Sequence, residues 1–254
     1  MALSRRAFLA AAAATAAAGL AACSKSVHRV VGSATTAPGG GAPPLSTTTT
    51  QHTGPAQLVY HGPRDRQMVA FTFHGSGDPN LTLRMLDLTR SLSAPITVFA
   101  VGTWLQQYPD ITRRILAAGN ELENHTYTHP QLRGAGAATV SREVIGCRNV
   151  LSAQTGSPGT YFRPSGMEGN YPQVVMDQAG AAGYPVVCGF DVDPSDYLDP
   201  GAALVESRVR QGLQPGSIVS LHLGHTGTLT AFPTLVATAR SKGLQPVLVR
   251  DLLA

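Results

Sequence analysis

Apolar residues recur along positions 56–254 in two rhythms: short β-rich runs, and longer stretches in which they return every three or four residues. Met68–Phe73 is such a run, and Leu81, Met85 and Leu88 beyond it share one helical face. Residues 95–101 read as the next strand and 110–118 as a helix, with Gly119 placed to end it in the left-handed conformation. Residues 121–124 form a brief strand and 139–154 a further helix. Strands follow at 161–163, 186–190, 217–221 and 246–249, with helices at 172–182, 201–211 and 232–241. Repeated strand–helix alternation over about 200 residues predicts one α/β domain with a parallel sheet or barrel. Chemistry in such folds gathers at the carboxyl ends of strands, so polar groups just past each apolar run are the candidates.

Composition changes the picture mainly through where the charge lies. The 254 residues are 43% hydrophobic and 13% charged, enough for a real core, and three Cys exclude a disulfide-dense miniprotein. The formal net charge is +4, yet residues 1–55 hold Arg5, Arg6, Lys25 and Arg29 with no acid, and residues 56–254 balance 15 basic against 15 acidic side chains. The folded part therefore lacks the basic face that a nucleic-acid partner requires.

Residues 1–23 read as an export signal. Arg5-Arg6 precedes an apolar run from Ala7 to Ala22, too short at about 24 Å to cross a bilayer core. The paired arginines resemble a twin-arginine signal, and Leu20-Ala21-Ala22-Cys23 resembles a lipobox, which makes Cys23 the acylated anchor. From Ser24 to Pro55, 20 of 32 residues are Gly, Pro, Ser or Thr, a tether with too little apolar surface to fold. The expected location is outside the cytoplasm, lipid-anchored on the outer face or periplasmic side of the cell membrane.

Six histidines fall in the domain, five of them at or just past strand ends. In Asn124-His125-Thr126-Tyr127-Thr128-His129-Pro130, two imidazoles four residues apart can converge on one divalent cation, a spacing that a merely polar loop shares. With Pro95–Gly102, Pro109-Asp110 and Ala118–Leu122, this segment resembles the polysaccharide deacetylases, carbohydrate esterase family four, from about Met68 to the C-terminus. The resemblance implies a distorted (β/α) barrel, removal of acetyl groups from N-acetylated (or O-acetylated) sugars of cell-wall or extracellular polysaccharide such as peptidoglycan, and a divalent metal, zinc first with cobalt, nickel or manganese as alternatives.

Later motifs extend the resemblance. Phe162-Arg163-Pro164 matches the segment whose Arg orients the catalytic base, Asp191–Tyr197 matches an acidic loop, and Ser217–His222 matches an apolar strand ending in a proton donor. The reading makes His222 the acid for the leaving amine, tuned by Asp193 first and Asp196 second, with a backbone N–H of the Tyr127 loop aiding the oxyanion. Trp104 and Tyr108 either line a sugar groove or pack in the core. Cys147 and Cys188 are buried thiols or one disulfide, and neither has a paired base beside it.

The first motif departs. Where the family carries an Asp pair, base then metal ligand, this chain has His74-Gly75, followed by Ser76-Gly77-Asp78. Three completions stay open: Asp78 folds back to join His125 and His129 as ligand with His74 as base; His74 completes a three-histidine zinc site with Asp78 as base; or the domain binds glycan without turnover.

Overall fold

The computed structural model describes residues 54–254 apart from 167, 168 and 170, so the expected signal, Cys23 and most of the tether lie outside the described residues. Among the described residues eight strands form: β1 (Gln57–Val59), β2 (Met68–Gly75), β3 (Thr97–Ala100), β4 (Glu121–Asn124), β5 (Tyr161–Phe162), β6 (Val186–Cys188), β7 (Ile218–His222) and β8 (Gln245–Val247). Interleaved with them run α1 (Pro79–Ser91), α2 (Gly102–Gln107), α3 (Pro109–Ala117), α4 (Ala137–Thr155), α5 (Gln173–Ala181), α6 (Ala202–Gly212), α7 (Thr226–Ser241) and α8 (Val249–Leu253). None of these helices is long and apolar enough to cross a membrane.

Every ladder is parallel, in the order β1-β6-β5-β4-β3-β2-β7, with β8 paired to the start of β2. The ends of this curved sheet meet through one antiparallel bridge, His61 to Ser217, reinforced by the Gly62 N–H donating to Gly216 O at 2.8 Å. The expected distorted (β/α) barrel is the fold observed.

Strand alternation decides what points inward. Along β2, Phe71 and Phe73 face the helices, where both set their edges against Phe232 with centroids 5.7 Å apart. Ala70, Thr72 and His74 face the barrel axis, where Ala70 joins Phe99, Tyr161, Cys188, Ile218, Val247, Val249 and Leu252 in an apolar plug. The plug fills the lower interior, so polar inward residues near the carboxyl ends are left facing a mouth.

Some boundaries depart from the sequence reading. α7 begins at Thr226, ahead of the expected 232, and carries Pro233 inside it, because burial of Leu229, Ala231 and Phe232 outweighs the lost proline N–H. α2 was not expected; it is a six-residue helix, too short to show a period. The last strand ends at Val247, and Val249 opens α8, which seals the barrel floor through Val249 and Leu252. Gly119 follows α3 with φ +78°, the left-handed stop expected of it.

Candidate active site

The mouth gathers four histidines from three strand ends. His74 is the seventh residue of β2 and pairs in register with His222, the last residue of β7, so their rings stack with centroids 4.3 Å apart at 30°. His125 follows β4 directly, and His129 comes one short loop later. The His74 and His125 rings meet edge to face at 4.4 Å, and those of His125 and His129 lie 4.9 Å apart. One ring nitrogen from each of His74, His125 and His129 lies within 4.8 Å of the other two.

The loop that carries these imidazoles is strained and clamped. Thr126 and His129 both hold positive φ, +69° and +61°, a conformation that costs a non-glycine residue about 1 kcal/mol or more. The Asn124 side chain accepts from the Thr126 N–H at 2.9 Å, and its own amide donates to Val144 O and Tyr184 Oη. Glu143 of α4 accepts from the Tyr127 and Thr128 N–H groups at 3.0 and 2.8 Å and from the Thr128 hydroxyl at 2.9 Å. The Tyr127 and Thr128 N–H groups are thus committed to a carboxylate, which takes both from the oxyanion role expected of a backbone N–H in this loop.

The chemistry of the donors fits a divalent cation. Burial first, and then the neighbouring histidines, hold His74 and His125 well below the usual imidazole range; burial followed by His222 lowers His129 as well. Neutral imidazoles are what a metal needs. His125 Nδ1 faces Arg163 O at 2.8 Å, so it donates there and turns Nε2 toward its partners, the outer bond that orients a ligating histidine. Position 75 could not have supplied a carboxylate: a Cβ there would lie 2.8 Å from Val98 Cγ1 and 2.9 Å from Ala100 Cα.

Asp78 does not join the imidazoles, which corrects both roles foreseen for it. It is exposed, and its carboxylate caps α1 by accepting from the Asn80 N–H at 2.8 Å, just before Pro79 at the first helical position. Helix start chemistry outcompetes a fold back toward the mouth.

A second correction concerns His222. Its carboxylate partner is Asp196, with Oδ1 2.7 Å from His222 Nδ1; the first choice, Asp193, instead accepts from the Ser195 N–H and lines the cavity wall. The cause is a 3-10 turn at Asp196–Leu198, entered through Ser195 at φ +52°, which tucks Asp196 beneath β7. There it is buried and also accepts from the His222 N–H at 2.8 Å and the Thr228 hydroxyl at 2.6 Å. Three donors fix its carboxylate in place, and acceptance from His222 Nδ1 leaves Nε2 of that ring free for the cavity. Asp191, by contrast, is structural: it takes Arg64 at 2.8 Å and the Ile218 N–H at 2.8 Å.

Arg163 is buried; its hydrogen bonds go to neutral acceptors, and the Asp193 carboxylate acts on its charge. Its guanidinium donates to Cys188 O at 2.9 Å, Gly189 O at 3.0 Å and the Thr72 hydroxyl at 2.8 Å, and stacks 4.0 Å over Phe99. With no Asp at position 74 to bind, the fork ties β5, β6 and β2 together. Trp104 is buried core, its indole N–H donating to Gly77 O at 3.0 Å, with Tyr108 against it. Cys147 and Cys188 are free and buried; burial pushes the Cys147 thiol up to about 12 and raises Cys188 too, so neither is a nucleophile.

These groups open on a cavity of about 340 Å³ whose lining includes His74, His129, Asp193, Tyr197, Ser220 and His222. Tyr197 crosses the His222 ring at 5.3 Å. Ser220 and Glu143 escaped the sequence reading. Ser220 was legible in principle, since it precedes His222 by two residues and so shares its face of β7; Glu143 lies mid-helix with no local mark.

Comparison with known proteins bears on the family and the fold. The chain is 28% identical over 200 residues to the peptidoglycan-N-acetylglucosamine deacetylase of Bacillus cereus, covering 77% of this chain and 92% of that protein. It is 35% identical over 159 residues to a chitooligosaccharide deacetylase of Bradyrhizobium, covering 62% and 71% respectively. A pseudoenzyme of the CE4 family from Bacillus anthracis shares the fold with a TM-score of 0.73 at 22% identity, over 78% of this chain and 69% of that one. The polysaccharide deacetylase family model matches residues 61–187, and the chain belongs to that family.

Proposed function

We propose that the protein is a metal-dependent hydrolase that removes acetyl groups from N-acetylated sugars of cell-wall or extracellular polysaccharide, acting outside the cytoplasm from a lipid anchor at Cys23. One observation carries the catalytic part: the imidazoles of His74, His125 and His129 converge on one another beside a cavity at the barrel mouth that an Asp-held histidine, His222, also lines. The substrates named for the Bacillus cereus and Bradyrhizobium relatives support the choice of glycan.

His74, His125 and His129 would hold the cation, with zinc first among the candidates because three histidines and one open position suit it. A zinc ion held there supplies a Lewis acid for the acetyl carbonyl and makes a water acidic enough to ionise near neutral pH. With His74 committed as a ligand and Asp78 on the surface, proton transfer falls to His222. Its Nε2 takes a proton from the attacking water and returns it to the departing amine, while Asp196 holds the ring in place and stabilises the imidazolium. Tyr197 and Asp193 line the wall against which the sugar lies.

The test pairs metal analysis of the purified protein with acetate release from N-acetylglucosamine oligomers and from peptidoglycan. Stoichiometric zinc that is lost on His125→Ala, together with acetate production that disappears with it, is the expected result. Glycan affinity in metal-free protein with no acetate at any metal loading would establish a binding protein in place of an enzyme. Cys23→Ala should move the protein from the membrane to the soluble fraction; unchanged partitioning removes the anchor from this reading.

A further inference from the structure

Ser220 occupies the middle of β7, two residues before His222 on the same inward face, and is 1% exposed. Its hydroxyl lies 3.1 Å from His74 Nε2, and His74 Nδ1 lies 2.9 Å from His125 Nε2. His125 Nδ1 ends the chain on Arg163 O at 2.8 Å. Proton positions follow from the last link. A carbonyl oxygen only accepts, so His125 carries its proton on Nδ1, and as a neutral ring it has a lone pair on Nε2. The nitrogen of His74 that faces this lone pair must then be the donor. His74 is therefore the Nδ1–H tautomer, and its Nε2 accepts from Ser220.

That arrangement satisfies every atom, yet it is the wrong one for ligation by the nitrogen that faces the other imidazoles, because a ligand nitrogen must offer a lone pair. We propose that Ser220 is the positioning residue that makes His74 a metal ligand: on cation binding the His74 proton passes from Nδ1 to Nε2, and the Ser220 hydroxyl turns from donor to acceptor to receive it. One proton leaves Nδ1 and one arrives at Nε2 through solvent, so the ring stays neutral and the count is unchanged. A hydroxyl serves both states because it has one donor and two acceptor sites. A carbonyl or carboxylate at this position would hold Nε2–H permanently, and an alanine would leave a buried N–H unpaired in the loaded state. Ser220 and His74 thus work as a pair in a site whose position 75 is closed to a side chain by Val98 and Ala100.

This inference rests on the three-histidine reading above, and the experiment separates the two. The full chain, stripped of metal, is titrated with zinc against a chromophoric chelator, and its histidines are followed by ¹⁵N NMR. Wild type should show His74 as Nδ1–H when metal-free and as Nε2–H when zinc-loaded. Ser220→Ala should weaken zinc by about 10–100-fold, the usual effect of losing an outer-shell partner, and Ser220→Thr, which keeps the hydroxyl, should recover most of the loss. Failure of wild type to bind zinc overturns the metal reading and this inference together. Zinc bound by wild type and Ser220→Ala with equal affinity, or a His74 tautomer that does not change on loading, overturns the role of Ser220 alone.

Discussion

At the floor of the barrel Glu121 accepts the Thr97 hydroxyl at 2.7 Å, and the Arg250 N–H bonds to it as well; the Val249 N–H meets Thr97 Oγ1 at 2.9 Å. Glu123 accepts the Thr160 and Tyr161 N–H groups at 2.7 and 2.6 Å. At the mouth, toward the other end of the barrel, the groups whose ionisation burial shifts include the imidazoles of His74 and His125. Burial acts alike at both ends by favouring the neutral form: it raises the two carboxylates, Glu123 well above its usual value, and lowers His74 and His125. What differs is where the lone pairs go. Floor carboxylates spend theirs on backbone N–H groups at the starts of a helix and a strand, which makes them structural. At the mouth the free edge of His222 faces a cavity, and the lone pair of His125 meets another imidazole, that of His74. A perturbed ionisation is therefore common to both clusters, and ring nitrogens that converge on one another beside a cavity mark the one able to bind.

The largest effect expected from breaking this contrast is at His222. His222→Ala should lower the rate of acetate release by about 10²–10⁴-fold, the ordinary contribution of an acid–base group. Its bound zinc should stay stoichiometric by metal analysis. Loss of the metal along with activity would instead make His222 part of the metal-holding set.

A middle-sized effect concerns the closed position. Gly75→Asp restores a family carboxylate in sequence but drives its Cβ into β3, so it should destabilise the fold by about 1–3 kcal/mol and leave zinc affinity no higher. Denaturant midpoints and the chelator titration check both parts. A stable Gly75→Asp protein with tighter zinc would show that β3 gives way easily.

The smallest effect sharpens the comparison through pH. His74, His125 and His129 are depressed relative to the unfolded chain, so metal-free protein keeps their full contribution to stability above about pH 6.5 and loses it as pH falls below that value. Glu123 is raised, so its contribution is complete below about pH 4.5 and is lost as pH rises through its folded value. Thermal midpoints of metal-free protein measured across pH should show both limbs. Glu123→Gln should flatten the alkaline limb while leaving the acid one, and a Glu123→Gln profile identical to wild type would remove the floor from this account.

Much of the frame was legible in the chain itself. The two apolar rhythms located most strands and helices, because burial of alternate or every third-to-fourth residue is a local requirement of each element. Strand-end histidines pointed to the mouth for the same reason, as did Gly119 to its turn. Short pieces without a period, α2 and α8, were not legible, and neither was a helix start hidden by Pro233.

Roles within the site divide along a similar line. His74, His125, His129 and His222 were named from the motifs they match at strand ends, and parallel pairing brings those ends together whatever the loops do. Asp78, Asp193 and Asp196 could not be ranked that way, because a carboxylate on a loop goes to whichever donors the backbone offers first: the α1 start took Asp78, the Ser195 N–H took Asp193, and the 3-10 turn delivered Asp196 to His222. Sequence alone determined an α/β domain with a parallel sheet or barrel, from periodicity and strand order, while the family and the candidate histidines came from the resemblance of its motifs. Tertiary structure alone decided which carboxylate serves which histidine, that Gly75 admits no side chain, and that Ser220 and Glu143 stand behind the imidazoles, because those outcomes depend on contacts between residues far apart in the chain.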